Sequence, residues 1–144
     1  METKLIARSR KVIQAPLKKV WDALVDPELI KQYMFGINVI SDWKEGSSIV
    51  WSGEWKGKKY EDKGRILKLE NLRTLQYSHY SPLSGKSDIA ENYHIVTITL
   101  SEFELHVGVE VKLTQDNNDS KDEQQHSEDN WNSILEELKK LLEK

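Results

Sequence analysis

The strongest constraint on the fold is a strict alternation of apolar and polar residues near the end of the chain. Between residues 105 and 113 every second position is apolar: Leu105, Val107, Val109, Val111 and Leu113. His106, Glu110 and Lys112 fall on the opposite face. Because successive side chains of a strand point to opposite faces of a sheet, the pattern predicts a strand from Leu105 to Gln115 with one buried face.

The residues before this strand continue the same pattern in shorter pieces. Further strands are predicted over residues 5–14, 37–41, 49–55, 60–69, 74–81 and 92–102, separated by turn signals. Most connections between the later strands are short. This arrangement predicts an antiparallel sheet with one face covered.

Helical spacing occurs in three places. Leu17 to Val25 and Glu28 to Tyr33 predict two short helices after the first strand, with Pro16 at the start and Asp26-Pro27 between them. A longer helix is predicted from Glu128 or Asp129 to the end of the chain. Its apolar side is formed by Trp131, Ile134, Leu135, Leu138, Leu141 and Leu142.

The order of these elements predicts an α+β fold in one domain over residues 1–144. A strongly twisted antiparallel sheet of six or seven strands curls, and the long C-terminal helix covers its apolar face inside that curl. The space between sheet and helix need not fill completely, so a cleft is expected. The segment 116–129 contains no apolar residue and predicts an acidic, solvated loop within the domain.

Composition excludes several classes of protein. The 144 residues include no cysteine, which excludes disulfides, a thiol nucleophile and cysteine-ligated zinc. A formal charge of -3 argues against a nucleic-acid-binding protein. The apolar runs are too short to span a membrane, and no signal peptide is expected at the start. We therefore expect a cytoplasmic protein with no nucleic-acid and no membrane partner.

Several motifs in chain order resemble a known family. They are Ala15-Pro16, Val20 to Leu24, Asp26 to Ile30, Gly53 to Trp55, Tyr60 to Gly64, His79 to Pro82, Glu91 to His94, Thr114 to Asn118, and Trp131 with Ile134-Leu135, Leu138-Lys139 and Leu142-Glu143. Over residues 3 to 143 the chain resembles the activator of heat-shock-protein ATPase homologue family. That family belongs to the helix-grip superfamily of START-like and pollen-allergen-like domains. The resemblance implies a cavity between the curved sheet and the last helix, but no common reaction.

The candidate ligand-binding residues are aromatic, histidine and leucine side chains on the predicted inner faces. Tryptophan rings suit a cavity wall, whereas Tyr77 and His79 could each provide an orienting hydrogen bond. Core packing is the alternative for every tryptophan. His79 and His94 could each anchor a ligand or serve as a general base, and a structural role is the alternative for both. The predicted lining is Trp51, Tyr77, His79, Trp131, Leu135 and Leu138.

The sequence gives little support for a metal site, a carboxylate pair or an anion site. The four histidines lack the spacing of a metal site, so no metal and no cofactor are expected. In adjacent carboxylates such as Glu61-Asp62 one residue of each pair faces solvent, and the pairs are interpreted as surface charge. Arg8 and Arg10 share a strand face, and they either hold an anionic ligand or, as we prefer, point outward as edge-strand charges.

These observations leave three hypotheses about function. The first is binding of a small hydrophobic or amphipathic molecule in the cavity, without catalysis. The second is a co-chaperone-like interaction domain acting in stress response, with a chaperone partner bound at the surface, for example at the acidic segment 116–129. The third is a cyclase or aromatase type of enzyme, which requires a polar cavity rich in His, Tyr and Arg.

Overall fold

The computed structural model describes residues 5–103 and 108–144. Within these residues the chain forms seven strands, three α-helices and two short 3-10 turns. In chain order the strands and α-helices are β1 (Leu5–Ile13), α1 (Leu17–Val25), α2 (Pro27–Tyr33), β2 (Asn38–Ser41), β3 (Ser48–Trp55), β4 (Lys58–Glu70), β5 (Thr74–His79), β6 (His94–Glu102), β7 (Val109–Asn118) and α3 (Lys121–Leu142).

The strands form one antiparallel sheet in the order β1-β7-β6-β5-β4-β3-β2. Every hydrogen-bonded neighbour is antiparallel, and the first strand, β1, pairs with the last, β7. Helix α3 packs on this sheet, mainly against β1. The predicted helix-grip arrangement is confirmed, with seven strands and with two short helices after the first strand.

The core lies between the inner face of the sheet and α3. Val109, Val111 and Leu113 of β7 are at most 1% exposed, as the alternation in the sequence predicts. Residues 105–107 of the same pattern lie outside the described residues. Helix α3 buries one apolar stripe against the sheet, formed by Trp131, Ile134, Leu135, Leu138 and Leu142.

Helices α1 and α2 cover one end of this core. The Asp26 carboxylate begins α2 by accepting a hydrogen bond of 3.0 Å from the backbone N–H of Glu28. The buried Tyr33 hydroxyl at the end of α2 donates to the Ala23 carbonyl of α1 at 2.8 Å. This bond between side chain and backbone fixes the angle at which the two helices meet.

The prediction of a solvated acidic loop over residues 116–129 is wrong. Strand β7 continues to Asn118, and α3 begins at Lys121 with the Ser120 hydroxyl accepting from the backbone N–H of Glu123 at 3.1 Å. The helix has 22 residues and is therefore about 33 Å long. Its first half is anchored by polar contacts, among them the bond of 2.8 Å that Gln124 donates to the Ile6 carbonyl.

The outer face of β1 carries the two arginines that were considered as anion ligands. Arg8 and Arg10 are exposed, and Arg10 pairs with Glu110 of β7, so the preferred outward orientation is confirmed. Among the helices of the described residues, none combines the length and the apolar character that a membrane crossing requires.

Candidate functional site

A small cavity lies between the inner face of the sheet and α3. Its volume is about 30 Å³. This is room for one or two water molecules, so a larger ligand enters only if the walls move apart. The cavity is lined by Leu24, Ile30, Tyr33, Met34, Val39, Trp43, Ile49, Trp51, Leu75, Tyr77, Ile98, Leu113, Trp131, Ile134, Leu135 and Leu138.

Five of the six predicted ligand-binding residues line this cavity. Trp51 of β3 and Tyr77 of β5 form part of the sheet side, whereas Trp131, Leu135 and Leu138 come from α3. Strand alternation and helical spacing place these side chains inward, and all five are at most 9% exposed. Their binding of a ligand stays a prediction.

His79, the sixth predicted residue, lies beside the cavity and not in its lining. Its ring meets the Trp51 ring edge-on, with 5.0 Å between the ring centroids and 66° between the planes. The Tyr77 ring contacts the same indole at 4.9 Å. Trp51 therefore links the apolar cavity to the histidine next to it.

Asp62 is the functional candidate that sequence reasoning missed. His79 Nε2 lies 2.9 Å from Asp62 Oδ2, and the Asp62 side chain is only 13% exposed. Its second oxygen, Oδ1, is buried and has no hydrogen-bond partner among the described residues. Because side chains alternate along β4, Glu61 faces solvent and Asp62 faces the opposite side of the sheet. The interpretation as surface charge is therefore right for Glu61 and wrong for Asp62.

Gly64 allows β4 and β5 to approach each other closely beside this pair. A Cβ atom at Gly64 would lie 1.7 Å from the Ser78 carbonyl oxygen, which no side chain tolerates. Asp62 and His79 are each within two residues of this contact. The missing side chain at position 64 thus lets the imidazole reach the carboxylate of the neighbouring strand.

His94 has a structural role at the first turn of α3. Its Nδ1 lies 2.8 Å from the Asp116 carbonyl oxygen, and its Nε2 lies 3.8 Å from a Glu123 carboxylate oxygen. It is the cross-strand partner of His79 on β6. These bonds favour the structural alternative for His94 over the general-base alternative.

Two buried tyrosines provide the hydroxyl groups of the lining. Burial raises the pKa of Tyr77 far above its ordinary value, and burial together with the adjacent Tyr77 does the same for the pKa of Tyr33. Both hydroxyls therefore stay protonated at neutral pH. The Tyr33 hydroxyl is already bonded to the Ala23 carbonyl.

The opposite wall is held by a hydrogen bond between α3 and β7. Trp131 Nε1 donates to Gln115 Oε1 at 2.7 Å, which fixes the indole against the sheet. Gln115 is the cross-strand partner of the buried Val96, so its side chain belongs to the inner face. The polar edge of Trp131 is thus satisfied by protein, and its ring is presented to the cavity.

The fold and this cavity together define a helix-grip protein, and sequence comparison gives the family. The family model described as "Activator of Hsp90 ATPase homolog 1-like protein" matches residues 14–143, and the chain belongs to this family. Among proteins with curated descriptions, no match was found.

Solved structures share the fold over nearly the whole chain. The solution structure of ChR145 from Cytophaga hutchinsonii is 66% identical, with a TM-score of 0.87, covering 99% of this chain and 97% of that one. The Aha1 dimer from Colwellia psychrerythraea is 20% identical, with a TM-score of 0.74 and 96% of both chains covered. CalU16 from Micromonospora echinospora is 22% identical, with a TM-score of 0.71, covering 99% and 87%.

Proposed function

We propose that this protein reversibly binds a small hydrophobic or amphipathic molecule between its sheet and α3. The observation that carries the proposal is an apolar cavity bounded by Trp51 on one side and Trp131 on the other. Small-molecule sites combine such apolar walls with a few polar groups that orient the ligand. The hydroxyl of Tyr77, a residue of the lining that stays protonated at neutral pH, is suited to that orienting role.

Binding requires the cavity to expand, and one wall is better suited to move than the others. Tyr33 and Met34, at the end of α2, line the cavity together with Trp43 of the loop between β2 and β3. Helix α2 has only seven residues, and Phe35 and Gly36 follow it with positive φ angles. We expect this short helix and the Trp43 loop to move outward, because α3 and the sheet are held by many more contacts.

The composition of the lining favours binding over catalysis. A cyclase or aromatase requires polar and titratable groups that face the substrate. The described residues that line the cavity include two tyrosines but no histidine and no arginine. A ligand in this cavity would meet aromatic and aliphatic surface, which holds a molecule without activating it.

An NMR titration with n-octanol tests the proposal. We expect the indole N–H signals of Trp51 and Trp131 to shift, and that of Trp21 to stay, because Trp21 is buried in α1 outside the cavity lining. Leu135→Phe should weaken binding about tenfold, because the larger side chain fills part of the small cavity. Ile40→Ser, which changes a side chain that is 69% exposed, should not alter the affinity.

The opposite pattern would contradict the proposal. If no indole signal shifted, the cavity would not bind an amphiphile. If Ile40→Ser weakened binding as strongly as Leu135→Phe, the molecule would be adsorbing to the surface. Native mass spectrometry of the protein from its own host then serves to identify a ligand that co-purifies.

A second candidate function, interaction with a chaperone, is favoured by two exposed apolar side chains. Phe35, between α2 and β2, is 66% exposed, and Ile40 of the edge strand β2 is 69% exposed. Exposed apolar surface is available for contact with another protein. If this function holds, the protein should accelerate ATP hydrolysis by a purified Hsp90-type chaperone, and the double variant Phe35→Ser and Ile40→Ser should not. An unchanged ATPase rate with the wild-type protein would contradict it.

A further inference from the structure

We propose that Asp62 and His79 form a polar subsite beside the cavity that takes the hydroxyl head of an alcohol or phenol and disfavours a carboxylate. The inference rests on the proposed function, because the head group is taken to belong to the molecule whose apolar part lies in the cavity. It identifies the class of amphiphile that the proposed function leaves open.

The position of the pair follows from strand register. Asp62 on β4 is the cross-strand partner of Trp51 on β3, so both side chains lie on the inner face of the sheet. Trp51 lines the cavity, and its ring contacts both Tyr77 and His79. An amphiphile whose apolar part lies against Tyr77 and Trp51 would place its polar end on the side of Trp51 where His79 and Asp62 lie.

The chemistry of the pair leaves one buried acceptor unused. His79 Nε2–H donates to Asp62 Oδ2, because an ionised carboxylate can only accept. The second oxygen of the carboxylate, Asp62 Oδ1, is buried and has no donor among the described residues. A buried acceptor without a donor is costly, and a ligand hydroxyl would supply the missing donor.

The charge of the pair distinguishes head groups. A ligand carboxylate brings no donor and places a second negative charge next to Asp62, which is unfavourable at low local dielectric. The ion pairs of the described residues give Asp62 no lysine or arginine partner that would offset this repulsion. Lys63, the next residue, pairs with Asp88 instead. The subsite therefore favours a neutral head group that donates a hydrogen bond over an anionic head group.

The test compares two amphiphiles of equal chain length, n-octanol and octanoate. Both are titrated into the 144-residue protein at about pH 7.5, where octanoate is ionised, and the Trp51 and Trp131 indole signals are followed. We expect n-octanol to bind at least about tenfold more tightly than octanoate, since like charges across a contact are strongly unfavourable. This comparison uses the wild-type protein and does not depend on any variant folding.

Two variants assign the preference to Asp62. Asp62→Asn keeps the shape and removes the charge, so it should strengthen octanoate binding until the two affinities agree within about twofold. Glu61→Gln removes the neighbouring charge from the exposed face of the same strand and should keep the preference. His79→Phe keeps a ring beside Trp51 but has no N–H, so it should weaken octanol binding by leaving the carboxylate without its orienting donor.

The possible failures can be told apart. Equal affinities of the wild-type protein for both compounds would overturn the subsite and leave the proposed function standing. A preference that persists in Asp62→Asn would also overturn it. Absence of any indole shift with either compound would overturn the proposed function and the subsite together.

Discussion

Asn118 ties three elements of the fold together through one buried side chain. It is 0% exposed and lies at the end of β7. Its Nδ2 donates to the carbonyls of Leu5 at 3.1 Å and Gln115 at 2.9 Å, and its Oδ1 accepts from the Ser127 hydroxyl of α3 at 3.1 Å. Strand β1, strand β7 and α3 thus depend on the same amide.

Replacing this amide should destabilise the protein markedly. Asn118→Ala leaves two carbonyls and a hydroxyl without their partner, and we expect the free energy of unfolding to fall by about 2–4 kcal/mol. Urea denaturation followed by circular dichroism measures the change. The exposed Asn130→Ala in α3 is the control and should stay within about 0.5 kcal/mol of the wild type. A loss below about 1 kcal/mol for Asn118→Ala would contradict the anchoring role.

At the scale of whole elements, α3 shows what the sequence can and cannot predict. Its second half carries an apolar stripe from Trp131 to Leu142, and spacing alone predicts it correctly. Its first half was predicted as a loop, because periodicity detects apolar burial only. There the contacts are hydrogen bonds, such as Gln124 to Ile6, whose partners are distant in sequence. The Ser120 N-cap with Glu123 three residues later was the available signal.

The end of α3 is attached to the end of β1 by Glu143. Its carboxylate accepts from the backbone N–H of Gln14 at 2.7 Å and pairs with Lys139, which also donates to the Val12 carbonyl. The Gln14 hydrogen bond and, after it, the Lys139 ammonium lower the pKa of Glu143 below its ordinary value of 4.5. A lowered folded-state pKa stabilises the fold above the ordinary value, and the contribution is lost as pH falls through the folded-state pKa.

We therefore expect a pH-dependent effect of Glu143→Gln. At pH 7 the variant should lose less than about 1 kcal/mol of unfolding free energy, because the group is partly exposed. The difference in unfolding free energy between the variant and the wild type should narrow below about pH 4.5, where the wild-type carboxylate becomes protonated and loses its charge. Urea titrations across this pH range measure the difference, with Glu137→Gln on the same helix as the control. A gap that stayed constant with pH would exclude the carboxylate charge as its cause.

At the scale of the molecule, the cavity walls were predictable and the polar pair beside them was not. Alternation along β3 and β5 and spacing along α3 fix which side chains point inward, and these patterns identify Trp51, Tyr77 and Trp131. The contact between Asp62 and His79 depends on the register of β4 against β5 and on the close approach at Gly64. Neither the register nor this close approach can be predicted from one sequence, so the pairing of Asp62 with His79 was missed.

The small size of the cavity leads to a last prediction, about Leu135→Ala. Leu135 is 2% exposed and lines the cavity, so removing its side chain should enlarge the cavity and cost about 2–4 kcal/mol of stability. Because less expansion is then needed, n-octanol should bind more tightly, by about tenfold or less. Kd values come from the indole titration and stability from urea denaturation.

Leu142→Ala separates cavity volume from stability. Leu142 is 4% exposed on the same helix but does not line the cavity, so its truncation should cost a comparable amount of stability. Its octanol affinity should equal that of the wild type. If both truncations raised the affinity equally, binding would follow the general loosening of the fold. A gain confined to Leu135→Ala would show that the space beneath α3 limits what this protein can hold.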